Sequence, residues 1–177
     1  MKRFIIALLP LMFLVAACAQ SHNGDKEQAP EATQTTQDAD KAPAFEVVTI
    51  DGKTISLEKS LEDGKPVVVY FMASWCSTCA RNWPALSEVY PEFEGKVTFV
   101  AVSIDPTDTE EVIKKLAEER GFKFPATEGN PDLMLDFGVA GQATTVGVNR
   151  DGQIAFKKPG RALSTEDYRD LFAGLLN

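Results

Sequence analysis

Two cysteines three positions apart, Cys76 and Cys79, stand between an apolar run and a helical stripe. This junction constrains the fold more than any other stretch. Val67-Val68-Val69-Tyr70-Phe71-Met72 is apolar throughout and half β-branched, the pattern of a strand buried on both faces of a sheet. From Ala80 to Phe93, apolar residues recur at Trp83, Leu86, Val89, Tyr90 and Phe93, one stripe of a helix. Pro84 inside that stripe removes one backbone bond and is expected to kink the helix. The cysteines thus fall where a central strand hands over to a helix, with Cys76 at the helix N-terminus. Free amides and the positive end of the helix dipole there favour a thiolate over a thiol. Thiolate is the form that attacks disulfides and binds metals.

A second apolar run, Val97 to Ile104, follows Gly95-Lys96. Two such strands joined through a helix make a right-handed parallel βαβ unit, and a Cys-x-x-Cys pair beside one reads as a thioredoxin-like redox motif. Two intervening residues set both sulfurs on the first helical turn, close enough to form a disulfide. Cys76 is then the nucleophile and Cys79 the thiol that resolves the mixed disulfide. The competing chemistry is metal binding. A tetrahedral zinc site needs four ligands, and residues 43–177 hold these two cysteines and no histidine. The same lack excludes Cys–His hydrolases and a copper site of the Sco type, which needs a distant histidine. No glycine-rich phosphate loop is present, and no cofactor beyond the Cys76–Cys79 disulfide is expected.

The first residues read as processing signals. Met1-Lys2-Arg3 precedes an apolar run from Phe4 to Ala17, an export signal too short for a transmembrane helix of about 20 apolar residues. Val15-Ala16-Ala17-Cys18 resembles the bacterial lipoprotein box, in which Cys18 becomes the lipid-modified N-terminus. Residues 1–17 are therefore taken as signal peptide and residues 18–42 as a tether without large apolar residues, expected to be disordered. The only histidine, His22, lies in that tether. Acyl chains contribute about 0.8 kcal/mol per buried methylene, so several anchor stably. Removal of the signal takes away Lys2 and Arg3 but no acid, moving the formal charge from −8 to −10. Such a chain is unsuited to nucleic acid, and anionic lipid repels it, leaving membrane attachment to the anchor.

Residues 43–177 form one domain of ordinary size. Phe45–Ile50 and Lys53–Leu57 flank Asp51-Gly52, a two-residue hairpin signal. Thr107 with Glu110 fits a capping box for a helix from Asp108 to Arg120, ended by Gly121. The Glu and Lys pairs of that helix read as a solvated face. Phe122–Ala126 is a candidate short strand, and Asn130-Pro131 starts a helix through Phe137. Thr144–Asn149 and Gln153–Lys157 make a second hairpin around Arg150-Asp151-Gly152. Ser164, with Asp167 three residues on, caps a last helix through Leu176. The fold class is α/β.

From Pro43 onward the chain resembles the TlpA/ResA-type branch of the thioredoxin superfamily, which includes the cytochrome c maturation thioredoxins. The matching residues are Asp51-Gly52, Gly64-Lys65-Pro66-Val67-Val68-Val69, Ala73-Ser74-Trp75-Cys76, Pro84, Phe137-Gly138-Val139 with Gly141, Thr144-Thr145 and Asp151-Gly152. The resemblance implies a thioredoxin-like fold, a central mixed sheet flanked by helices with an N-terminal β-hairpin. It also implies thiol–disulfide exchange outside the cytoplasm, at the bacterial cell envelope or periplasm. The partners would be disulfides of exported proteins, apocytochrome c among the candidates, and a membrane electron donor for re-reduction. Trp75 would be an exposed platform for substrate, and Gln142, Ala143 and Thr144 would line the substrate site.

Three departures stand out. Ala143 occupies the position of the family's cis-proline. A cis bond before a non-proline residue costs about 3–4 kcal/mol, so a trans bond or reshaped loop is expected, and the role of Gln142 is open. An alanine there could also expose the thiols, which keeps a metal- or cluster-binding module as an alternative. Tyr70 and Asn82 stand where relatives carry buried carboxylates that accept the proton of the resolving thiol. Asp105 remains as a candidate acceptor, although a solvated turn acid is the plainer reading. The dipeptide between the cysteines, Ser77-Thr78, leaves the reduction potential open. A peroxiredoxin-like peroxidase is a further alternative, weakened because Met72 and Ala73 occupy the region of its Pro-x-x-x-Thr-x-x-Cys context.

Overall fold

The computed structural model describes residues 41–177; the signal segment, Cys18 and His22 lie outside the described residues. The element order is β1 (Glu46–Val48), β2 (Thr54–Ser56), α1 (Leu57–Glu62), β3 (Val67–Met72), α2 (Ser77–Phe93), β4 (Thr98–Ser103), α3 (Glu110–Arg120), β5 (Ala126–Gly129), α4 (Pro131–Asp136), β6 (Thr144–Val148), β7 (Ile154–Lys158) and α5 (Thr165–Gly174). β1 and β2 form a hairpin. The other five strands form one sheet in the order β5-β4-β3-β6-β7. β3, β4 and β5 run parallel, while β6 and β7 are antiparallel to their neighbours. This is the thioredoxin-like mixed sheet with an N-terminal hairpin.

β3 lies at the centre and every side chain in it is fully buried. Because successive side chains face opposite ways, Val68, Tyr70 and Met72 enter one core and Val67, Val69 and Phe71 the other. The first core holds Trp83, Leu86 and Val89 of α2, Ile113 of α3, and Tyr168 and Phe172 of α5. The second holds Phe45 and Val47 of the first hairpin, Leu57 of α1, Leu133 of α4 and Phe137 just beyond it. A continuous apolar run is what a strand with two apolar neighbours requires.

Local chemistry shifts several boundaries from those read in the sequence. The first hairpin closes through a three-residue loop, Ile50-Asp51-Gly52, because the Thr49 N–H donates to Lys53 O at 2.9 Å and Gly52 supplies φ +81°. Lys53–Leu57 is not one strand. Ser56 caps α1, its hydroxyl accepting from the Lys59 N–H at 3.2 Å. Thr109, rather than Thr107, caps α3, and Gly121 ends it in the left-handed region at φ +65°. β5 lies later than Phe122–Ala126. α2 continues through Pro84 and Pro91. Ser164 and Asp167 do form a capping box. The folded unit also reaches back into the stretch assigned to the tether: Lys41 bridges Gln153, and Ala42 is buried, its N–H donating to Gly152 O at 2.9 Å. Among the described residues, no helix is long and apolar enough to cross a membrane.

At the C-terminal end of β5, a Cβ built on Gly129 would lie 1.9 Å from Asp105 O, so only glycine lets β5 approach the loop after β4. Gly129→Ala is expected to cost about 1–3 kcal/mol through overpacking, lowering the urea midpoint. Gly174→Ala, with nothing within 4 Å, is expected not to lower it.

Candidate active site

The three parallel strands end on the same edge of the sheet, and the chain leaving β3 there makes a turn from Ala73 to Cys76, closed by the Cys76 N–H donating to Ala73 O at 3.1 Å. Cys76 is the N-cap of α2, and the Cys79 N–H donates to its Sγ at 3.0 Å. A helix-end amide therefore points at the first sulfur, where it supports negative charge once the disulfide opens. Cys76 and Cys79 are joined in a disulfide with Cα atoms 5.2 Å apart. Cys76 is 4% exposed and Cys79 fully buried. Of the two cysteines, only Cys76 contributes any surface.

Trp75 is 62% exposed, and its orientation is fixed from across the sheet edge. Its Nε1–H donates to Asp105 Oδ2 at 2.5 Å. Asp105 Oδ1 accepts from both the N–H and the hydroxyl of Thr107, at 2.8 and 2.7 Å. The Thr107 hydroxyl first, and then the Trp75 indole, hold the Asp105 carboxyl below its ordinary value. That makes Asp105 a poor proton acceptor near neutrality; as the plainer reading had it, it is a turn acid, and the structure adds that it is the partner of Trp75. Asp108 was read only as the start of a helix. It is 2% exposed, and its Oδ2 accepts from the Ser74 N–H at 2.8 Å and the Ser103 hydroxyl at 2.5 Å. An aspartate between two threonines carries no local signal for a contact 34 residues away.

Beneath the cysteines the polar groups are neutral. Asn82 is fully buried, and its Nδ2 lies within bonding distance of Tyr70 OH (3.2 Å), Thr78 O (3.3 Å) and Arg161 O (3.0 Å). Its Oδ1 accepts from the Leu163 N–H at 2.8 Å. The side chain thus ties the residue between the cysteines to the loop before α5. Burial raises the Tyr70 and Tyr168 hydroxyls above the ordinary tyrosine value, so neither serves as a base. The positions read from sequence as lacking a carboxylate form a saturated amide–phenol contact.

Ala143 adopts φ +57°, the one non-glycine residue with positive φ among those described, and no peptide bond there is cis. The loop is reshaped, as expected without proline. It does not open the cysteines: Ala143 is 2% exposed and packs in the same core as both of them. Thr144 is buried, its hydroxyl donating to Gly141 O at 2.8 Å. Gln142 and Thr144 line a cavity of about 380 Å³ with Val139, Ala140 and Pro159; Trp75 stands apart from it, beside Asp105. No group of three or more His, Cys, Asp or Glu side chains is arranged to hold a metal among the described residues.

The AhpC/TSA family profile matches residues 39–157. The chain belongs to the AhpC/TSA family. Within it, the chain is 30% identical over 159 residues to the thiol-disulfide oxidoreductase ResA of Bacillus anthracis, covering 86% of each. A thiol:disulfide interchange protein of Chlorobium tepidum TLS superposes with a TM-score of 0.67 at 26% identity, covering 78% of this chain and 97% of that one. MTB DsbF, solved in mixed oxidized and reduced forms, gives 0.64 at 27% identity, over 74% and 94%. This AhpC/TSA chain is a thiol–disulfide oxidoreductase of ResA type.

The Trp75–Asp105 bond has a defined pH range. A carboxyl whose folded value is depressed keeps its contribution above the unfolded value and loses it as pH falls through the folded one. The difference in fluorescence between the wild type and Trp75→Phe is therefore expected to stay constant from about pH 8 to pH 4. It should change only below the ordinary aspartate value of about 3.9.

Proposed function

We propose that this protein is a lipid-anchored reductant of disulfides in exported proteins, acting outside the cytoplasmic membrane, with Cys76 as nucleophile and Cys79 as resolving thiol. The observation that carries the reading is the Cys76–Cys79 disulfide at the start of α2, with the Cys79 N–H on the sulfur of Cys76, the less buried of the two residues. In the reduced protein the Cys76 thiolate attacks one sulfur of a substrate disulfide and expels the other as a thiolate. Cys79 then gives up its proton and attacks Cys76 Sγ, expelling the second substrate sulfur. The substrate gains two electrons and the pair is oxidised, so an external dithiol donor, taken here as membrane-bound, returns it to the reduced state. Trp75 offers its ring to the substrate segment, and Gln142, Ala143 and Thr144 line the far side of the site. Apocytochrome c belongs to the class of exported dithiol proteins this chemistry serves.

With insulin as the protein disulfide, Cys76→Ser is expected to abolish reduction, while Cys79→Ser accumulates a mixed disulfide visible on a non-reducing gel. Wild-type turnover by Cys76→Ser would sink the reading. Hydrogen peroxide consumption at a comparable rate would favour the peroxidase alternative.

The anchor rests on Val15-Ala16-Ala17-Cys18. Cells expressing the full chain are expected to incorporate labelled palmitate, and Cys18→Ala should lose the label and appear in the soluble fraction. Retention of both label and membrane association by that variant excludes Cys18 as the lipid site.

A further inference from the structure

Two carboxylates on one turn grip two successive residues on the approach to the nucleophile. Asp108 receives the backbone N–H of Ser74 and Asp105 the indole N–H of Trp75, directly before Cys76. The turn is itself braced. The Asp108 N–H donates to Asp105 O at 3.0 Å, the Gly129 N–H to Asp108 O at 2.8 Å, and the Asp105 N–H to Ser103 Oγ at 3.2 Å. Asp105 is additionally held by Thr107. Gly129 keeps β5 close enough for this, since any Cβ there would collide with Asp105 O.

We propose that the Asp105–Asp108 turn is a two-part positioning element in which Asp108 fixes the nucleophile and Asp105 fixes the substrate platform. Asp108 acts through the backbone. Its bond to Ser74 sets the Ala73–Cys76 turn, and with it the direction in which Cys76 Sγ meets the first amides of α2. Every substrate, however small, depends on that direction. Asp105 acts through a side chain. Without its carboxylate the exposed indole of Trp75 samples other rotamers, and a polypeptide seated on the ring loses a preset surface. A small disulfide that never touches Trp75 is indifferent to this. Both residues are positioning residues, since neither touches the reacting sulfurs. The proposal rests on Cys76 being the nucleophile, and it predicts that the effects of the two carboxylates separate by substrate size.

The test uses the full chain, with insulin as a large disulfide and Ellman's reagent as a small one, together with the equilibrium of the cysteine pair against glutathione. Asp105→Ala is expected to raise KM for insulin about fivefold, the share of one charge-assisted bond partly open to water. Its rate with Ellman's reagent should stay within about twofold of wild type. In a Trp75→Phe background, which lacks the indole N–H, the same change should add nothing. Asp108→Ala is expected to slow both substrates roughly tenfold and to shift the glutathione equilibrium. Asp108→Asn, which keeps an oxygen for Ser74 and Ser103, should restore most of the rate. If Asp108→Ala does not fold, Ser103→Ala removes one of the two donors to that carboxylate, together with the acceptor of the Asp105 N–H, and should slow both substrates by about threefold. The proposal is overturned if Asp105→Ala slows both substrates equally, or if the Asp105 and Trp75 changes add. It is also overturned if Asp108→Ala, or Ser103→Ala in its place, keeps the wild-type rate with Ellman's reagent, or if Asp108→Asn is as slow as Asp108→Ala. Undiminished activity of Cys76→Ser in the same assays overturns the functional reading instead.

Discussion

β3 has no side chain in contact with solvent, and this burial fixes the end of the strand from which the redox site departs. Its odd and even residues are bound into two different cores, so the strand cannot slide by one residue without reversing all six side chains. Met72 is therefore a fixed point. Four residues later Cys76 begins α2, whose apolar stripe lies on one of those cores. The Cys76–Cys79 geometry follows from two rigid elements meeting at a short turn, in which Asp108 of the neighbouring loop accepts the Ser74 N–H.

The parts of this arrangement that were legible in the sequence are those with a local period or a local chemical cue. The run Val67–Met72, the stripe Trp83–Leu86–Val89, the glycines of the hairpins and the Ser164/Asp167 box each announce themselves within about ten residues. The contacts that shape the site do not. Asn82 meets Arg161 and Leu163 some eighty positions away, and Asp108 meets Ser74 across 34. No propensity or periodicity encodes a pairing made by the crossover from β3 to β4. α1 was missed for a different reason. The β2 pattern runs straight into it, and only Ser56, with a run of helix-forming residues behind it, marked the change.

Replacing a cis-proline with Ala143 proved to be a change in backbone rather than in access. A left-handed alanine costs on the order of 1–2 kcal/mol relative to the right-handed region, a cost met by burying the residue in the core that also holds the cysteines. The disulfide stays covered, so the substitution argues for an altered loop facing the substrate more than for exposed thiols. The absence of carboxylates at Tyr70 and Asn82 is a second change of the same kind. A buried acid must be hydrated or paired, whereas the neutral Asn82 amide donates to the Tyr70 hydroxyl and backbone carbonyls and accepts from the Leu163 N–H.

The burial of the sulfurs sets a rule for encounter. With Cys76 4% exposed and Cys79 not at all, solvent-side approach to the disulfide is narrow and on the Cys76 side, and an incoming sulfur must arrive nearly along the bond it will break. A cysteine held within a rigid surface cannot reach so far in, because its own neighbours strike the rim first. One carried on a loose, extended stretch of chain can. The aperture therefore sorts partners by the slack around their cysteines before any side chain is recognised.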